Sequence, residues 1–168
     1  VHRDLKPENI LFPSLPTSQS DIDRYVPTII DFGVAAQAGS KRMVSGSRLW
    51  MAPELQDAYE KQGIRVDPAG DIYALGLILC YMISGRKPRR RSYDYASYVD
   101  YMRRAVDVLR ADNAESYPQS GISNATSMHQ EAASHRLEQT IRLITTILSK
   151  NPAERPTAQS VVEETAHL

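Results

Sequence analysis

The chain has 168 residues, 42% of them hydrophobic, which suits one domain with a real core. Its 20 Lys and Arg balance its 20 Asp and Glu, so no global field favours nucleic acid or an anionic membrane, and any charge effect must be local. The lone cysteine, Cys80, excludes an internal disulfide, and the longest apolar run, residues 72–83, is shorter than the roughly 20 residues a bilayer span needs.

In chain order, the first expected elements are two short strands, "NILF" at residues 9–12 and "TII" at 28–30. They read as a small hairpin whose long tip is residues 13–27. The apolar run then predicts a helix buried on every side. Asp67 is its expected N-cap, Pro68 suits its first position, and Gly85 can end it in the left-handed conformation. Around this hub, Tyr98, Met102, Ala105 and Leu109 follow helical spacing, as do Leu137, Ile141, Ile144 and Leu148. A last short helix is expected after Thr157. Between these satellites, residues 111–135 are poor in large aliphatics and rich in Ser, Ala, Asn and Gln, which reads as a mobile insertion.

The chemistry concentrates in "HRDLKPEN" at residues 2–9 and "DFG" at 31–33. Asp4 and Asn9 lie five apart, and Asp31 is a second acid flanked by a strand. Phosphoryl transfer needs such a set: one acid beside the accepting hydroxyl, and another acid with an amide oxygen to hold hard divalent cations on the phosphates. Lys6, two residues beyond Asp4, supplies a charge for the transferring group. Taken alone, each Asp is more often a turn or capping carboxylate. The order of the motifs reverses that prior.

"HRDLKPEN", "DFG" and "MAPEL" at residues 51–55 follow one another as they do in eukaryotic protein kinases, which the chain therefore resembles. "GSRLWMAPE" is similar to that family's substrate-facing loop, "DIYALGLIL" to its central helix, and "NPAERPT" to the segment carrying its late Arg. The resemblance implies a mainly α fold: a kinase-like C-terminal lobe of Ser/Thr type with a small β-hairpin, the N-terminal lobe missing. Residues 2–9 would be the catalytic loop, 31–33 the magnesium-binding stretch, 31–54 the activation segment, and 67–168 the helical core. ATP and Mg2+ are the implied cofactors.

By the same resemblance, Asp4 is the catalytic base or hydroxyl-orienting acid, Lys6 the phosphate contact, and Asn9 and Asp31 the metal ligands. Ser47 is expected to touch the base and the lysine, within a substrate loop that includes Leu49 and Trp50. Glu54 and Arg155 resemble a buried ion pair, and Asp71 an anchor for the catalytic-loop backbone. His2, Phe32 and Gly33 are read as structural support. Arg3 resembles an arginine that grips a phosphorylated activation segment in some relatives; otherwise it would pair with a carboxylate or water. Ser40 and Ser45 are the available phosphosites, with Met43 where many relatives carry a phosphorylated Thr.

Arg86, Lys87, Arg89, Arg90 and Arg91 form a basic run. It reads first as a solvated loop, and more sharply as a docking patch for an acidic or phosphorylated partner. Expected partners are protein substrates with Ser or Thr acceptors, with no nucleic acid and no membrane span, in a cytoplasmic or nuclear setting. No glycine-rich phosphate cover and no "VAIK"-like lysine occur, so the expectation is a lobe that is inactive in isolation. The rival readings are a non-catalytic, truncated or pseudokinase scaffold and, disfavoured by "MAPEL" and Arg155, a small-molecule phosphotransferase.

Overall fold

The computed structural model describes residues 1–12, 26–59, 63–85, 87–88 and 124–166, the side chains of 124–134 and 137 excepted. The expected helix around Tyr98–Leu109, the hairpin tip up to residue 25, and Arg86 and Arg89–Arg91 lie outside the described residues. Helices dominate, with two small antiparallel sheets.

The hub helix, α2, runs Ala69–Ser84. Its C-terminal end falls at Gly85 as anticipated, whereas its N-cap is Pro68, one residue beyond the expected Asp67. An Asp67 carboxylate oxygen accepts the Ala69 N–H at 2.8 Å, satisfying an amide with no intrahelical partner. Gly85 takes φ 65° and donates its N–H to the Tyr81 carbonyl, a left-handed stop that glycine adopts without steric cost. Ile72, Tyr73, Ala74, Leu77, Ile78 and Cys80 are all buried on this helix.

Three neighbouring segments cover α2. One face meets Trp50, Ala52, Ile144 and Leu148; another meets Leu143, Ile147 and Val161. Ile147 and Leu148 are essentially removed from water, each stabilising the fold by roughly 1.5–3 kcal/mol. Gly76 permits this approach, because a Cβ there would sit 2.5 Å from Ile147 Cγ2 and 2.9 Å from Leu148 Cδ2.

The helix ending at Ile147, α3, spans Asn124–Ile147, and Leu148 follows it in the next turn. Residues 111–123 lie outside the described residues, while 124–135, read from composition as part of a mobile insertion, are helical. Their Ala, Gln and Glu are good helix formers, so a lack of large aliphatics there signals a weak apolar face, not an absent helix. The last helix, α4, spans Ala158–Thr165, and Thr157 caps it by accepting the Ser160 N–H.

Strand β1, Ile10–Leu11, pairs antiparallel with β2, Thr28–Ile29, with Ile10 opposite Ile29. A second pair was not anticipated. Strand β3, Lys41–Arg42, lies antiparallel to β4, Ile64–Arg65, with Lys41 opposite Arg65 and Arg42 opposite Ile64. Helix α1, Pro53–Asp57, lies between them in sequence. Among the described residues no helix is long and apolar enough to cross a membrane.

Candidate active site

The loop at residues 2–9 is mounted on α2 through its main chain. Asp71, in the first turn of α2, accepts the backbone N–H groups of His2 at 2.6 Å and Arg3 at 2.8 Å. Arg3 takes φ 73°, an uncommon conformation for a side-chain-bearing residue, which the two charge-assisted bonds to its loop help to hold. His2 is buried; its Nε2 lies 2.9 Å from the Ile30 carbonyl, and its ring meets Phe32 edge-on at 5.0 Å between centroids.

Asp4 joins two segments. One carboxylate oxygen pairs with Lys6 Nζ at 2.8 Å, while the other accepts the Ser47 N–H at 2.6 Å. Lys6 Nζ also donates to Ser47 Oγ at 3.1 Å, which closes a ring of three residues. Partial burial pushes the Asp4 carboxyl upward, but hydrogen bonds from Lys6 and Ser47 outweigh it and hold the group below the usual carboxylate range. Hydrogen bonding to Asp4 correspondingly raises the Lys6 ammonium, against a smaller opposing effect of burial. Both groups are thus charged near neutrality. Gly46, at φ 113°, makes this closure possible, since a Cβ there would collide with the Arg3 carbonyl oxygen.

The 3-10 turn Pro7–Asn9 then delivers Asn9 beneath the loop. Buried Asn9 donates its Nδ2 to the Asp4 carbonyl at 2.9 Å, which leaves its Oδ1 without a hydrogen-bond partner among the described residues. The Asn9 carbonyl accepts the Ile30 N–H at 3.0 Å, so Asp31 begins one residue beyond this link. Asp31 is exposed, takes φ 63°, and accepts the Gly33 N–H at 3.3 Å. Its negative charge is close enough to act on Lys6. Among the described residues no cluster of three or more His, Cys, Asp or Glu side chains could hold a metal. One carboxylate with an amide oxygen is instead the sparse, hard donor set that suits magnesium carried on phosphates.

The expected substrate loop divides by depth. Ser47 reaches Asp4 and Lys6. Leu49 is half-buried against the core, and Trp50 is buried, packing edge-to-face on Tyr81 at 6.0 Å. Trp50 therefore holds this loop from below, through its packing on the core. Glu54, in α1, meets Arg155 through two bonds of 2.7 and 2.8 Å. The Arg155 side chain is completely buried, also donates to the carbonyls of Ser149, Ala69 and Lys150, and lies over the Tyr73 ring at 4.8 Å.

Two contacts had no sequence signal. Arg3 donates to the Val34 carbonyl at 2.9 Å and to the Met43 carbonyl, tying both ends of one stretch of the segment through backbone acceptors. Neither a carboxylate nor a phosphate is needed for this, and only the fold brings those carbonyls to the guanidinium. Lys87 Nζ lies 3.1 Å from Glu8 Oε1, both about half exposed, and so the one described member of the basic run faces the loop at residues 2–9. Ser40 donates its hydroxyl to the Gln37 carbonyl. Ser45 lines a cavity of about 30 Å³ between the loop and α2, along with Arg3, Ser47, Asp71 and Ala74.

The loop at residues 2–9 and the segment carrying Ser47 thus converge on an Asp–Lys–Ser ring, with Asp31 one residue beyond the Asn9–Ile30 backbone bond. The chain belongs to the protein kinase family, whose description as a protein kinase domain matches residues 1–165. It is 35% identical over 114 residues to Serine/threonine-protein kinase SBK1 of Danio rerio, covering 65% of this chain and 28% of that protein. It is 31% identical over 166 residues to Leucine-rich repeat receptor-like protein kinase TDR of Arabidopsis thaliana, covering 96% of this chain and 14% of the relative. With Serine/threonine-protein kinase pkn3 of Myxococcus xanthus it shares 28% identity over 165 residues, 93% of this chain and 25% of that protein. The chain thus spans between 14% and 28% of the length of these relatives.

Proposed function

We propose that these residues carry the phosphoryl-transfer machinery of a Ser/Thr protein kinase, acting on protein hydroxyls with ATP as donor. The observation that carries the reading is the Asp4 carboxylate bridged at once to Lys6 Nζ and the Ser47 N–H. That bridge couples the group facing the acceptor to the segment that would seat it. The names of SBK1 and pkn3 favour Ser and Thr over Tyr as acceptors.

In this reading the substrate hydroxyl lies against Asp4, which orients one oxygen lone pair toward the terminal phosphorus. The new bond forms between hydroxyl oxygen and phosphorus as the bridging bond to ADP breaks, and the hydroxyl proton passes to the Asp4 carboxylate. A carboxyl held below its usual range is a weak proton acceptor. Asp4 therefore acts first by orientation and takes the proton late, which suits a loose transition state with little early demand for a base. Lys6 balances charge on the transferring group. Asn9 Oδ1 and Asp31 would hold magnesium, which supplies neutralisation of the phosphate charge when bound.

The test uses the protein at its natural full length. Labelled phosphate transfer is expected to fall roughly 10²- to 10⁴-fold in Asp4→Asn, and severely in Asp31→Ala, with circular dichroism unchanged. Full transfer by either variant would refute the role assignment. A wild-type protein that binds protein partners while transferring nothing would instead be the non-catalytic scaffold.

A further inference from the structure

The β3–β4 register sets Lys41 directly opposite Arg65. Opposed residues in an antiparallel pair share a face with Cβ atoms roughly 5 Å apart, and like charges there repel. Arg42 adds a third cation, and all three residues are exposed. They are also held close. The Lys41 stem lies over Gly63, where a Cβ would sit 3.2 Å from Lys41 Cε, and Arg65 donates to the Gly39 carbonyl at 3.2 Å. Arg42 bonds the Lys41 carbonyl at 3.3 Å. Each guanidinium has five N–H groups, so both keep donors to spare.

Among the described residues no carboxylate forms an ion pair with Lys41, Arg42 or Arg65, whereas Lys6, Lys87 and Arg155 each have one. The adjacent acid, Asp67, directs a carboxylate oxygen to the cap of α2. Among the described residues, positive charge without an ion-pair partner thus gathers on one narrow ribbon. Ser47 lies six positions beyond Lys41, so at full extension the ribbon lies within about 22 Å of the Asp4 ring. A peptide of about seven residues spans that distance.

We propose that the β3–β4 ribbon docks an acidic segment of the protein substrate, a run of Asp and Glu within about seven residues of the acceptor hydroxyl. The assignment of the partner as a substrate rests on the kinase reading; the ribbon's charge does not. A two-pair ribbon matches a short carboxylate-bearing peptide, whose side chains relieve the Lys41–Arg65 repulsion by lying between them.

The test uses full-length protein and two fluorescein-labelled peptides, identical around one Ser but carrying six Glu or six Gln on its flank. Anisotropy is expected to show tighter binding of the Glu peptide, weakening with added salt, and lost by roughly fivefold or more in Lys41→Gln/Arg65→Gln. Arg65→Glu is expected to raise the melting temperature by pairing with Lys41, while weakening the Glu peptide; this separates lost docking from lost folding. Equal binding of both peptides, or unchanged Glu-peptide binding in the double variant, would overturn the proposal. So would tighter binding of a phosphoserine peptide of equal charge, or of a DNA hairpin. Selective Glu-peptide binding without phosphate transfer would remove the kinase reading and leave the docking surface standing.

Discussion

Replacing Arg155 with Met removes the most heavily connected side chain of the described fold. Its guanidinium accounts for the Glu54 pair and for bonds to three carbonyls at 2.8, 3.0 and 3.4 Å. Met fills much of the volume, so the loss is chiefly electrostatic. Glu54 keeps 30% of its side chain in contact with solvent and can recover part of its hydration, whereas the Ala69 and Ser149 carbonyls lose a partner that was itself fully buried. Breaking a buried pair from one side costs roughly 3–5 kcal/mol, and the exposure of Glu54 places the expectation toward the lower end, about 3 kcal/mol. Glu54→Gln should cost less, about 1–2 kcal/mol, because an amide oxygen still accepts one N–H and the carbonyls keep theirs. The double variant should fall short of the sum by about 1 kcal/mol or more, since both changes remove one shared interaction. Urea denaturation at neutral pH, with slopes compared to check that compactness is unchanged, measures all three. An Arg155→Met protein within about 0.5 kcal/mol of wild type, the range of ordinary surface substitutions, would refute the account of this side chain as the tie between α1 and the start of α2.

Gly76→Ala should destabilise by about 1–3 kcal/mol despite alanine's better helix propensity, because its methyl group would press on Ile147 and Leu148; thermal melting checks it, and a stabilised protein would contradict the packing argument. Burial pushes the Cys80 thiol up to about 12, so native protein at pH 8 should resist thiol-reactive dye and react only after denaturation. Fast native labelling would be inconsistent with a buried thiol. The folded Asp4 carboxyl lies below its ordinary value of 3.8, so its stabilising contribution is present above that value and lost as pH falls through the lower folded one. Urea midpoints of wild type and Asp4→Asn should therefore converge as pH drops from 5 toward about 2; a constant gap would mean that this carboxyl titrates alike in both states.

Local patterns were the most legible part of the chain. The ends of α2 could be read from Asp67, Pro68 and Gly85 because capping is decided within a few residues, and Thr157 marked the start of α4 for the same reason. The β1–β2 pairing was visible as two apolar runs. The β3–β4 ribbon was not, since two-residue strands reading Lys-Arg and Ile-Arg carry no alternation and form only when the chain brings them together. The start of α3 was missed because its first half has few large apolar residues. At the site, motif order drew attention to Asp4, Lys6, Asn9 and Asp31, but bonds to main-chain atoms leave no trace in residue identity. The Arg3 grip on the Val34 and Met43 carbonyls is of that kind, as are the carbonyl partners of Arg155.

Asp71 holds its neighbours by amide hydrogens that every residue except proline possesses. Positions 2 and 3 are thus free, as far as this fastening is concerned, to exchange side chains over evolutionary or engineered time without shifting the bench on which Asp4 rests. The fixture itself has no such freedom: it tolerates variety in what it clamps and little in the clamp.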